Sequence, residues 1–241
     1  MLNKHINILC LICARGGSKG IPRKNLLTLG GKPLIEWSIN IAKNLKYIDK
    51  IVVSTDCQEI ATISKNLGAE IPFIRPDNLA QDNSPEWSVW QHAISELKRV
   101  KQYHCDCLLV LPPTSPFRSI DDINHGFEIF FNNNVDIVIS VKKSARNPYF
   151  NMVEINDEGY ATICKKNKKK IFRRQDAPVV YDMTTVLYIA RTDFVEQSGS
   201  IFEGRVKKIT IPEYRAIDID THDDLRFAEY LLNTGVIDEN N

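Results

Sequence analysis

Near-continuous apolar residues run from Ile6 to Cys13 and stop at a glycine-rich segment, ARGGSKG. A short apolar run bounded by glycines predicts a strand buried on both faces, as in a parallel sheet. Beyond Pro33 the period changes. Leu34, Trp37, Ile41 and Leu45 recur at helical spacing, so a helix is predicted from Pro33 to about Leu45, with proline at its first turn. Lys50–Ser54 reads as a second strand and Gln58–Leu67 as a helix stopped by Gly68. Glu70–Ile74 is short and extended. A helix from Pro85 to about Val100 and a strand at Asp106–Leu111 follow, the latter running into Pro112 and Pro113. Asp121–Phe131 then reads as a helix and Val135–Val141 as a strand.

This alternation predicts an α/β fold, a mostly parallel central sheet of Rossmann type flanked by helices. The pattern breaks after Val141. Asn151–Ile155 and Tyr160–Cys164, joined by NDEG, predict a hairpin turning at Gly159. Strand character returns at Val186–Ala190 and Arg205–Ile211, and His222–Leu232 is a closing amphipathic helix. The expected organisation is one domain over residues 1–241, with an inserted arm at about 145–182 and a frayed end at Asp238–Asn241.

Composition narrows the functions. The 241 residues carry a formal net charge of +1, so no global field draws in nucleic acid or an anionic membrane. The basic run KKNKKK at Lys165–Lys170 has no stacking aromatics among it and reads as a solvated hairpin edge. No apolar stretch is long enough to span a bilayer or serve as a secretory leader. Six cysteines are read as free thiols, including the Cys10/Cys13 pair inside the first strand, which suits a reducing, cytoplasmic setting.

The chemistry starts at the Ala14–Asn25 loop. It follows the carboxyl end of the first strand, where open α/β sheets bind ligands. Gly16, Gly17 and Gly20 let backbone N–H groups approach a phosphate, and Arg15, Lys19, Arg23 and Lys24 supply positive charge. Together they describe a triphosphate cradle. It is neither a P-loop, since no Gly-Lys-Ser/Thr occurs, nor a GxGxxG fingerprint, since the glycines are adjacent. Lys19 and Arg23 fit phosphate contact and solvated surface charge equally well.

The segment ICARGGSKGIPRKNL at Ile12–Leu26 resembles the nucleotide-binding motif of the acylneuraminate cytidylyltransferases, the CMP-sialic acid synthetase family. The likeness continues in order through LGGKPLIEWSI, VVSTD at Val52–Asp56, RPDNLAQD at Arg75–Asp82 and PPTSPFRS at Pro112–Ser119, and ends in IDIDTHDDL at Ile217–Leu225. It implies a nucleotide-diphospho-sugar transferase-like fold and CTP as co-substrate. It further implies a nucleotide site of Ala14, Arg15, Gly16, Gly17, Ser18, Lys24, Asn25 and Arg75. Arg75 would read cytosine or bond local carbonyls; both readings stand. Positions two apart on a strand share a face, so Asp218 and Asp220 would stand side by side. The resemblance assigns them to magnesium, which takes one or two carboxylates plus substrate phosphates; a charged strand end in water is the alternative. Arg15, Lys24, Asp218 and Asp220 form the implied catalytic set.

On the sugar side the resemblance points to Arg174 and Gln175, with Arg174 suited to a planar carboxylate. Here the chain departs from the sialic acid enzymes. Asp182-Met183-Thr184-Thr185 stands where Arg-Pro-Asn-Gly is common, Phe150 where lysine is, and Pro112 where glutamine is. Asp182 and Thr184 therefore enter as candidate sugar contacts, and the expected substrate is a nonulosonic acid such as legionaminic or pseudaminic acid. The family's arm dimerises and completes a neighbour's sugar site, so a homodimer is expected. The alternatives are a 3-deoxy-manno-octulosonate cytidylyltransferase and a non-catalytic nucleotide-binding relative. His5, His92, His104, His125 and His222 lack a surrounding motif and are read as non-catalytic.

Overall fold

The structure is a computed structural model describing residues 6–167 and 170–237. His5, Lys168 and Lys169 of the basic run, and the 238–241 tail lie outside the described residues. The elements in order are β1 (Ile8–Cys13), β2 (Thr28–Leu29), β3 (Lys32–Pro33), α1 (Leu34–Asn44), β4 (Lys50–Ser54), α2 (Gln58–Asn66), α3 (Glu86–Lys101) and β5 (Cys107–Val110). They continue as α4 (Ile120–Asn132), β6 (Ile137–Lys143), β7 (Val153–Ile155), β8 (Ala161–Ile163), β9 (Tyr181–Arg191), α5 (Thr192–Gln197), β10 (Val206–Thr210) and α6 (His222–Asn233).

Six strands form one sheet in the order β10-β6-β9-β5-β1-β4. All neighbours are parallel except β9, which runs antiparallel to both β5 and β6. The apolar run of β1 explains its central place, because alternate side chains enter opposite layers. Ile8, Cys10 and Ile12 pack with Ile35 and Ile39 of α1 and Phe127 of α4. Leu9 and Leu11 pack with Trp90, Ile94 and Leu97 of α3. Among the described residues no helix is long and apolar enough to cross a membrane.

Three features differ from the sequence reading. β9 extends back from the apolar Val186–Ala190 to Tyr181, because its polar half pairs with β6. α5 was hidden in a short segment with little periodicity. The IDID segment is not a sheet strand. A single bond from the Ile219 N–H to the Thr114 carbonyl, at 2.8 Å, ties it to the loop after β5. Ile219 is fully buried in a third apolar cluster with Ile21 of the glycine-rich loop and Leu231 of α6. The arm hairpin β7–β8 turns at Gly159 (φ 86°), where the left-handed backbone favours glycine.

Candidate functional site

A cavity of about 330 Å³ opens beyond the carboxyl ends of β1 and β5. Arg15, Ser18, Lys24 and Asn25 line it from the glycine-rich loop, Arg75 from beyond β4, and Asp218 and Asp220 from the IDID segment. Ile21 and Ile219 pack together between these segments, so one apolar contact brings the loop cations and the carboxylates to the same opening.

The loop is held from inside. Ala14 is fully buried and its N–H bonds the Ser54 carbonyl at 3.0 Å. The Asn25 amide donates to the Arg15 carbonyl at 2.9 Å. The Gly16 N–H donates to Asp56 at 2.9 Å, so this donor serves the loop's shape rather than facing the opening. A Cβ on Gly16 would meet that of Cys57 at 2.8 Å, whereas one on Gly17 meets nothing within 4 Å.

The loop cations pair with three different carboxylates. Lys24 lies 2.5 Å from Asp220, and Arg15 lies 2.7 Å from Asp82. Lys19, mostly solvent-exposed, also reaches Asp82, at 2.9 Å. Arg23 takes a left-handed backbone (φ 56°) and pairs with Glu59, outside the lining of the cavity. Arg75 meets both descriptions left open by the sequence. It lines the cavity, while its guanidinium donates to the Ser54 hydroxyl at 3.1 Å and to the Ser54 carbonyl.

Asp218 Oδ1 is buried and without a hydrogen-bond partner, leaving an acceptor that a cation or a donor would complete. Asp82, Glu86, Cys13 and Thr185 also line the cavity. Asp82 is the last residue of RPDNLAQD, a motif that gives it no role of its own, and Glu86 follows Pro85 as an ordinary helix start. The hydrogen bond from Lys19, helped by the charges of Lys19 and Arg15, holds the Asp82 carboxyl below the usual range. Burial pushes Glu86 up, the Trp90 N–H at 3.4 Å opposes that, and the charge of Asp218 adds to it. Burial lifts the Cys13 thiol to about 12, so it offers no thiolate nucleophile at neutral pH.

One wall of the cavity is set by a buried cation. Arg118 is 1% exposed and donates to the Val186 carbonyl at 2.8 Å, the Ser38 hydroxyl at 2.7 Å and the Pro112 carbonyl. It joins β9, α1 and the loop after β5.

The sugar-side candidates are dispersed. Arg174 and Gln175 line a separate cavity of about 680 Å³ with Lys143, Asn147 and Glu213 at the base of the arm. Arg174 donates to the Ser144 carbonyl at 3.1 Å. Asp182 is exposed opposite Lys142. Thr184 is buried, donating to Ser140 at 3.0 Å, and does not line the 330 Å³ cavity. Thr185 does, with its hydroxyl 2.7 Å from that of Ser115. The register between β6 and β9 shifts after Ile139, from a pairing with Tyr188 to one of Ser140 with Thr184. The Ser140 hydroxyl fills that irregularity, accepting from the Leu187 N–H at 3.0 Å. Neighbouring strand residues point to opposite faces, and the irregularity decides which threonine meets the opening.

A cytidylyltransferase family model matches residues 9–234. The chain is 36% identical over 225 residues to the post-translational flagellin modification protein B of Campylobacter coli, covering 93% of this chain and 94% of that protein. It is 35% identical over 226 residues to the CMP-N,N'-diacetyllegionaminic acid synthase of Campylobacter jejuni, covering 94% and 95%. In fold it is similar to a CMP:2-keto-3-deoxy-manno-octonic acid synthetase complexed with CTP, with a TM-score of 0.68, 16% identity and coverage of 95% and 99%.

Proposed function

The chain belongs to the cytidylyltransferase family, and on that premise we propose that it transfers CMP from CTP to the anomeric hydroxyl of a nonulosonic acid, releasing pyrophosphate. The observation that carries this reading is the convergence of Arg15, Lys24, Arg75, Asp218 and Asp220 on one cavity from three distant parts of the chain. Displacement at the α-phosphorus builds negative charge on the phosphoryl oxygens and the leaving pyrophosphate, and fixed cations stabilise it. In this reading Arg15 and Lys24 supply that charge, and Arg75, braced on Ser54, faces the base.

The carboxylate pair fits magnesium. Asp218 presents a buried oxygen without a partner, and Asp220 lies on the same cavity beside Lys24. Magnesium takes one or two carboxylates and draws its remaining ligands from phosphates and water. When bound, the ion would neutralise triphosphate charge. Asp220 would turn from Lys24 toward it, releasing the ammonium to the nucleotide.

A homodimer is part of the proposal. The arm exposes Val153, Ile155, Tyr160, Phe172 and Val179, each more than half exposed, which supports burial against a second copy. Arg174, at the base of the arm, would then serve the sugar site across the interface. The six free thiols suit a cytoplasmic location.

The test is pyrophosphate release from CTP and magnesium against N-acetylneuraminic, legionaminic, pseudaminic and 3-deoxy-manno-octulosonic acids. Turnover with a nonulosonic acid and CTP, absent with UTP, is the expected result. A folded protein that does not bind CTP would overturn the proposal; turnover with the octulosonic acid alone would replace the substrate.

A further inference from the structure

The two loop cations that line the cavity are each paired with a carboxylate, but the two pairs are not equivalent. Lys24 faces Asp220, one of the carboxylates proposed to hold magnesium. When a magnesium nucleotide enters, that pair can exchange partners with little net loss, because the ammonium gains a phosphate as the carboxylate gains a cation. Arg15 faces Asp82 at 2.7 Å, and Asp82 has no such exchange available. It is a carboxylate on the cavity wall that also accepts from Lys19 at 2.9 Å.

The geometry points to Asp82 as a positioning residue that acts as an internal counter-anion, competing with the polyphosphate for Arg15 and Lys19. This rests on the nucleotide reading of the site and deepens it. Three observations carry it. Asp82 bridges two cations of the same loop, so its carboxylate stands where a phosphate oxygen would find both donors. It comes from the segment before α3 rather than from the loop, so it ties the loop to the opposite rim. Its side chain is 36% exposed, so the contact is accessible to a competing anion from solvent.

The consequence has a sign opposite to that of structural damage. An anionic ligand must displace Asp82 or accept its repulsion, so the residue weakens binding of CTP and of pyrophosphate alike. By weakening pyrophosphate it favours departure of the product. Neutralising Asp82 should therefore tighten polyphosphate binding. A partly exposed ion pair of this kind corresponds to roughly a three- to five-fold change in an equilibrium constant.

The experiment is calorimetric titration of the full chain and of Asp82→Asn and Asp82→Glu with inorganic pyrophosphate, and separately with CTP, at two salt concentrations. The expected result is that Asp82→Asn binds pyrophosphate several-fold more tightly, with a steeper salt dependence, and is more strongly product-inhibited. Asp82→Glu, which keeps the charge, should stay close to the parent protein. Unchanged or weaker pyrophosphate binding in a folded Asp82→Asn, with the parent protein binding CTP normally, overturns this inference and leaves the nucleotide site standing. Failure of the parent protein to bind either ligand overturns both.

Discussion

Replacing Gly20 with alanine tests whether the glycine-rich loop and the carboxylate segment form one unit. A Cβ at Gly20 would lie 2.7 Å from the Asp220 backbone carbonyl oxygen. Ordinary contact requires that oxygen to retreat by roughly half an ångström or more. The retreat is resisted, because the Asp220 N–H bonds Asp224 at 3.1 Å and Thr221 caps α6 through the Asp224 N–H at 3.2 Å. Overpacking against such a backbone costs about 1–3 kcal/mol, equivalent to a fall in Tm of roughly 2–10 °C for a chain of this size. The larger effect should be on turnover. Arg15 and Lys24 sit on one side of the contact and Asp220 on the other, so a shift of this size separates groups proposed to meet the same triphosphate. A loss of about ten-fold or more in kcat is expected. Gly17→Ala is the control, since its Cβ meets nothing within 4 Å and its backbone is not left-handed. Thermal unfolding followed by fluorescence and pyrophosphate release measure both quantities. Gly20→Ala indistinguishable from the parent protein in Tm and in kcat would refute the packing argument.

Further outcomes follow from other parts of the molecule. Lys24→Ala should remain folded, since its partner Asp220 is largely exposed, yet lose about 100-fold or more in kcat; near-normal turnover would remove Lys24 from the phosphate cradle. Asp220→Asn should move the magnesium dependence of turnover to higher concentration, and an unchanged titration midpoint would take it out of the metal site. Hydrogen bonds from Arg205 hold the Asp136 carboxyl at about 2. A depressed pKa of this kind stabilises the fold above the unfolded value of 3.8 and is lost as pH falls through about 2. Asp136→Asn should therefore lower stability at pH 7 by about 1 kcal/mol, discounted for solvent around the pair. The gap to the parent protein should close between pH 4 and 2; a pH-independent gap in urea unfolding would contradict the assignment. Ile155→Glu, on the exposed face of the arm, should shift the protein toward monomer by light scattering, and an unchanged mass would argue against the arm as the dimer contact.

The local elements of this chain were legible because their causes are local. The apolar run at β1, the helical spacing after Pro33, Gly68 just past α2 and Gly159 in the hairpin turn each act within a few residues. That the glycine-rich loop and the two aspartates would line one opening was legible for a related reason, since both lie in contiguous motifs.

What only the tertiary structure decided is which of these residues meet, and by what packing. Ile21 and Ile219 are nearly two hundred positions apart, yet their burial in one cluster sets Lys24 beside Asp220. The antiparallel course of β9 and the irregularity at Ser140 turn Thr185 toward the cavity and bury Thr184, a choice that two adjacent threonines cannot express in sequence. The contacts of Arg118, Asp82 and Glu86 are not written in the sequence for the same reason. Arg118 takes its meaning from carbonyls on β9 and on the loop after β5, Asp82 from the cations of a loop more than sixty residues away, and Glu86 from the depth to which α3 buries it. Motif and periodicity determine the kind of chemistry a segment can offer; long-range packing determines the distance at which charges face one another, and electrostatic effects depend on that distance and on burial.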